Sequence, residues 1–104
     1  MIVEERIYTA QVGRAREWIE DYGARGLPVQ QRHLGRLIGF FQSEIGQLNL
    51  IVHLWAYDSL AEREQRRARM AQDPAWHEYL RDAPKVLLAQ ESRILNPVAF
   101  SPLK

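Results

Sequence analysis

The stretch NLIVHLWAYD, residues 49–58, narrows the choice of folds more than any other part of the chain. Side chains alternate between the two faces of a strand. One row is Leu50, Val52, Leu54 and Ala56, which is purely aliphatic. The other is Asn49, Ile51, His53, Trp55 and Tyr57, which is apolar but carries polar atoms. A strand of this kind needs cover on both sides. With nothing but side-chain type to decide, the aliphatic row is expected to face the helices. The mixed row is then expected to line the uncovered face of the sheet.

The flanking segments supply the rest of the architecture. Residues 2–9, IVEERIYT, read as a first strand with Val3 and Ile7 on one parity and Glu4, Arg6 and Tyr8 on the other. Glu5 interrupts the apolar parity. A helix follows from Arg14, with Ala15, Trp18, Ile19 and Tyr22 at helical spacing. GARGLP, residues 23–28, is expected to interrupt it, and Pro28 to open a short second helix. LIGFFQSEI, residues 37–45, reads as a second strand, and Gly46–Gln47 as a two-residue hairpin loop. That loop pairs Phe40 with His53, Gln42 with Ile51 and Glu44 with Asn49.

Ser59 and Glu62 form a capping box ahead of a charged helix, and Asp73 with Pro74 starts another. There Trp76, Tyr79, Leu80 and Ala83 make the apolar stripe, Pro84 ends it, and KVLLA adds a further turn. ESRILNPV, residues 91–98, is the last strand. The order is β-α-β-β-α-β in one domain, residues 1–104: an α+β, ferredoxin-like fold with an antiparallel sheet and helices on one face. The open face is expected to be covered by a second copy, giving a homodimeric α/β barrel.

Composition removes several classes of function. The chain has no cysteine, so thiolate chemistry and cysteine-based zinc sites are absent. Fourteen basic residues against 13 acidic ones, net +1, give no nucleic-acid footprint. No apolar run approaches a membrane span, and MIVEERIYT lacks the apolar core of a secretory signal, so a cytoplasmic location is the expectation. Three histidines at no recognisable ligand spacing predict no metal site and no cofactor. His33 and His77 read as helix-end and solvated residues. Ser43, Ser59 and Ser92 lack a nucleophile-elbow context. Arg63, Arg66, Arg67 and Arg69, interleaved with Glu62 and Glu64, read as a solvated, ion-paired helix face. Trp18, Tyr22, Trp76 and Tyr79 read as core.

The candidate site gathers on the mixed face. His53 is the candidate catalytic residue, with Glu44 or Glu4 to orient it. Arg6, Tyr8, Asn49, Trp55, Tyr57 and Arg93 are candidate ligand-binding residues: two anion contacts, aromatic walls and an amide. The same inventory suits a structural ion-pair network that fixes a dimer.

Beyond these readings, FFQSEIGQLNLIVHLWAYDSLAEREQRR, residues 40–67, closely resembles the NIPSNAP family. So do EERIYT with Gly13, GLPVQQRHLGRLIGFF, DPAWHEYL and the closing ESRILNPVAFSPLK, so that the resemblance spans essentially the whole chain. Gln47 stands where the family pattern has Pro. The resemblance implies a dimeric α+β barrel without a settled activity. Larger animal relatives of that family are associated with mitochondria, vesicle traffic and mitophagy signalling. The wider superfamily includes quinone-forming monooxygenases and haem-degrading enzymes, whose chemistry does not transfer with a fold. Two functions are therefore expected. The first is a binding or interaction domain, with a small molecule as possible ligand; the alternative is a cofactor-independent or haem-using monooxygenase-like enzyme with a pocket around His53.

Overall fold

The computed structural model describes all 104 residues, Met1–Lys104. Strand β1 (Ile2–Ala10) leads into α1 (Ala15–Asp21), a five-residue π turn (Tyr22–Gly26) and α2 (Leu27–His33). Strands β2 (Arg36–Gln42) and β3 (Leu50–Tyr57) follow, then α3 (Leu60–Ala71), α4 (Pro74–Asp82) and β4 (Leu87–Leu95). The four strands form one antiparallel sheet in the order β2-β3-β1-β4. This is the α+β ferredoxin-like arrangement.

The first helical segment runs on through residues 15–33, without the interruption expected over residues 23–28. The wider π turn over Tyr22–Gly26 carries the chain into α2, where Pro28 sits in the first turn and needs no partner for its missing N–H. Gly26 has a packing role: a Cβ there would lie 2.7 Å from the Tyr79 ring and 2.8 Å from the Tyr22 ring. Both expected caps form. The Ser59 hydroxyl accepts from the Glu62 N–H at 3.1 Å, and the Asp73 carboxylate accepts from the Ala75 N–H at 2.9 Å.

Three further expectations change. The β2–β3 connection is not a two-residue hairpin: residues 43–49 form an open loop, with Gly46 at φ +93° and Asn49 at φ +65°. Phe40 does pair with His53 and Gln42 with Ile51, but Glu44 and Asn49 are unpaired loop residues. β4 begins at Leu87, so KVLLA runs largely into strand and not helix. Its β-branched Val86 is fully buried and follows a helix already stopped by Pro84.

The third change is the sense of the sheet. Ile51, His53, Trp55 and Tyr57 face the helices, where they are buried, and Leu50, Val52, Leu54 and Ala56 lie on the open face. Register places Tyr8, Arg6 and Glu4 beside Ile51, His53 and Trp55. The physical reason is bulk. Large rings fill the gap beneath the helices, and the Trp55 indole finds its acceptor in His53 there. Tyr8, Trp18, Tyr22, Ile51, Tyr79 and Val86 make one core cluster; Leu34, Trp55, Tyr57 and Met70 make another.

Candidate functional site

The helix-facing side of β1 and β3 carries a polar row of which Glu4 and His53 are buried and Arg6 partly so. Glu4 is 0% exposed. Its Oε1 accepts from Arg63 Nε at 2.9 Å; its Oε2 accepts from Arg63 Nη2 at 2.8 Å, from Arg6 Nη1 at 3.0 Å and from the Ser92 hydroxyl. Arg63 reaches it from α3, so the carboxylate ties that helix to the sheet. Burial alone would raise the Glu4 carboxyl. The hydrogen bonds from Arg63 and Ser92, with the charge of Arg6, override it and hold the group at about 2.

His53 is 1% exposed and boxed by rings. Phe40 stacks on it at 4.3 Å between centroids, and Tyr8 meets it edge-on at 4.9 Å. The Trp55 indole N–H donates to His53 Nδ1 at 2.8 Å. An indole can only donate, so the ring proton sits on Nε2, which has no partner. Burial, reinforced by the Arg6 charge, pulls the imidazole down to about 3. His53 is thus a neutral core residue.

Beside this row lies a cavity of about 440 Å³. Its floor is Arg6 and Tyr8 of β1 with Leu87 and Gln90 of β4. Its roof is Trp18, Tyr22 and Gln30 of the first helical segment with Trp76, Tyr79 and Leu80 of α4. Arg67 of α3 and Ala83, Pro84 and Lys85 complete it. Trp18 and Tyr22 stack at 5.0 Å, and Trp76 and Tyr79 at 5.3 Å. The Tyr22 hydroxyl donates to Gln30 Oε1. Arg6 Nε donates to the Tyr8 hydroxyl at 3.1 Å.

Of the residues singled out in the sequence, Arg6 and Tyr8 line the cavity. Glu4 and His53 share their face but lie behind the cavity wall, and Trp55 and Tyr57 are packed into the second core cluster. Arg93 is on the other face of the sheet, donating to Glu5 and Glu91. Glu44 is exposed in the loop and Asn49 sits at its end, both away from this group. Glu44 therefore does not orient His53. The aromatic lining and Arg67 escaped the sequence reading, because ring stripes look like ordinary core and the arginine run looks like a solvated face. The available signal was the spacing of Arg63, Arg67 and Met70, which puts all three on the sheet-facing side of α3. No three His, Cys, Asp or Glu side chains are grouped as for a metal ion.

Element order and register define an α+β ferredoxin-like domain. The NIPSNAP family pattern matches residues 3–102, and the chain belongs to the NIPSNAP family. It is similar to Protein NipSnap homolog 2 of Danio rerio, with 38% identity over 99% of this chain and 35% of that protein. Protein NipSnap of Drosophila melanogaster is 32% identical, with 97% of this chain and 36% of that protein covered. The chain thus spans about a third of the length of these curated relatives.

Among solved structures, a NIPSNAP family protein of unknown function from Agrobacterium tumefaciens superposes with a TM-score of 0.95 at 39% identity, covering 100% of this chain and 94% of the other. A NIPSNAP-like domain protein from Burkholderia xenovorans gives 0.91 at 44% identity over 97% and 88%. A putative antibiotic biosynthesis monooxygenase from Nitrosomonas europaea gives 0.66 at 10% identity over 94% and 99%, which shows shared fold alone. No helix of this chain is long and apolar enough to cross a membrane.

Proposed function

We propose that this domain is a small-molecule-binding module that works as a cytoplasmic homodimer. The observation that carries the binding reading is the 440 Å³ cavity, walled by Tyr8, Trp18, Tyr22, Trp76 and Tyr79 around a few polar groups. Its size and lining match a ligand site, and its walls belong to seven different elements, which hold it in shape. The monooxygenase-like alternative draws no support from His53. That imidazole is sealed from the cavity, occupied at Nδ1 and held neutral far below the range of a useful base.

The homodimer reading rests on the open sheet face. Ile7, Phe41, Leu50, Val52 and Leu54 form an apolar surface there, with Phe41 56% exposed. A patch of this kind on a small domain calls for a partner, and a second copy offers the same surface in return. A fragment screen by ligand-observed NMR tests the cavity. Hits that vanish when Ala83→Trp fills it are the expected result. A hit list unchanged by that substitution would refute the reading. Light scattering tests the dimer, and a stable monomer at micromolar concentration would sink it.

A further inference from the structure

The charges around the cavity do not balance. Arg6, Arg67 and Lys85 line it, and no Asp or Glu does. Glu4 lies nearby, but a carboxylate offers about four acceptor positions. Arg63 Nε, Arg63 Nη2, Arg6 Nη1 and Ser92 Oγ already bond to it, three of them at Oε2, and Arg67 does not. Arg67 is left over. Its Nη1 is buried and has no hydrogen-bond partner. Burial, and after it the charge of Arg6, lowers its proton affinity, with Arg63 adding to the strain and Glu4 relieving it. A half-buried guanidinium among other guanidiniums, with its one nearby carboxylate bonded to Arg63, Arg6 and Ser92 instead, lacks a direct counter-charge. The largest of the remaining lining side chains are flat rings, Trp18 stacked with Tyr22 and Trp76 with Tyr79.

Building on the cavity reading above, we infer that the ligand is a small anion with a flat apolar body, of the aromatic carboxylate class, whose charge is taken up by Arg67. Arg6 supports it from the floor and Lys85 attracts it at the rim. Arginine suits this role because its planar fork matches a carboxylate and its charge is permanent. The rings contribute contact area to any flat body, so the anion supplies the discrimination.

Isothermal titration with 2-naphthoate and its neutral isostere 2-naphthamide tests the inference. The carboxylate is expected to bind at least tenfold more tightly. Arg67→Gln should weaken the carboxylate at least fivefold and leave the amide within twofold, whereas Arg67→Lys retains most of the preference. The indole N–H resonances of Trp18 and Trp76 should shift on titration while that of Trp55 stays. Arg67→Gln without ligand is expected to melt no lower than wild type, since it removes an unpaired charge. If that variant does not fold, raising sodium chloride from low to near-molar concentration replaces it: naphthoate should weaken severalfold and naphthamide not. Equal binding of the two probes overturns the anion inference and leaves the cavity reading standing. Carboxylate affinity unchanged in Arg67→Gln, or shifts confined to Trp55, overturns it as well. No binding of either probe at millimolar concentration overturns the anion inference, and the fragment screen then decides separately whether the cavity binds anything.

Discussion

Glu4→Gln isolates the carboxylate that joins α3 to the sheet, and its effect can be worked out two ways. The amide keeps the shape of the side chain but loses the charge that faces Arg63 and Arg6. Breaking a buried ion pair from one side costs about 3 to 5 kcal/mol. Arg63 and Arg6 are 20% and 15% exposed and keep some hydration, so the low end, about 3 kcal/mol, applies. Independently, the Glu4 carboxyl titrates at about 2 in the folded chain instead of 4.5. At about 1.4 kcal/mol per pH unit, that separation is also worth about 3 kcal/mol. A folded-state value below the unfolded one means that the stabilisation is present above pH 4.5 and is lost as pH falls toward 2. Urea unfolding at fixed protein concentration should therefore show a midpoint about 2 to 3 M lower for Glu4→Gln at pH 7, for a slope of about 1 to 1.5 kcal/mol per M. At pH 3.5 the gap between the two proteins should narrow by about 1.4 kcal/mol, because only the wild type still has this group to protonate. A midpoint shift below about 0.5 M at pH 7, or a gap unchanged at pH 3.5, would show that the network contributes little.

His53, held at about 3 against 6.5 in the unfolded chain, predicts a separate acid sensitivity: stability present above pH 6.5 falls by about 2 kcal/mol by pH 5. His53→Phe should abolish that slope in urea titrations across this range, and a slope retained in the variant would refute the assignment. Gly26→Ala pushes a methyl into the Tyr79 and Tyr22 rings and should cost about 1 to 3 kcal/mol in thermal melts while narrowing the cavity. Ser59→Ala removes the cap of α3 and should cost about 1 kcal/mol, with the cavity probes unaffected. Val52→Lys on the open face should yield a folded monomer by light scattering; a dimer of unchanged strength would place the contact elsewhere.

Element order was legible because its markers are local. Ser59 with Glu62 and Asp73 with Pro74 fix two helix starts through backbone donors a few residues away. The pairing of Phe40 with His53 was legible too, although for an imperfect reason: the loop between the strands is longer than the hairpin inferred, yet its ends meet in the same register. The sense of the sheet was not legible. Both rows of β3 are apolar, and hydropathy carries no information about which of two apolar faces a helix will cover. Ring size and internal hydrogen bonds decide it, and those are properties of the packed state. Arg67 was hidden for a related reason, since inward and outward arginines differ only in what their helix lies against. Arg93 was misplaced for a separate reason: its register opposite Glu5 puts it on the other face from His53, and the parity of an edge strand is not written in its own residues.

The Trp55–His53 bond bears on how the chain avoids misfolding. β3 is greasy on both sides, so sliding it by one residue against β1 would exchange its two rows at little loss of buried hydrocarbon. Such a slip would carry His53 and Trp55 to the exterior and take His53 away from its place opposite Arg6. The buried polar atoms thus act as a key against that error: they add less to the depth of the native well than to its distance from the nearest wrong one. A chain with Leu at both positions would keep its grease and lose its sense of which side is in.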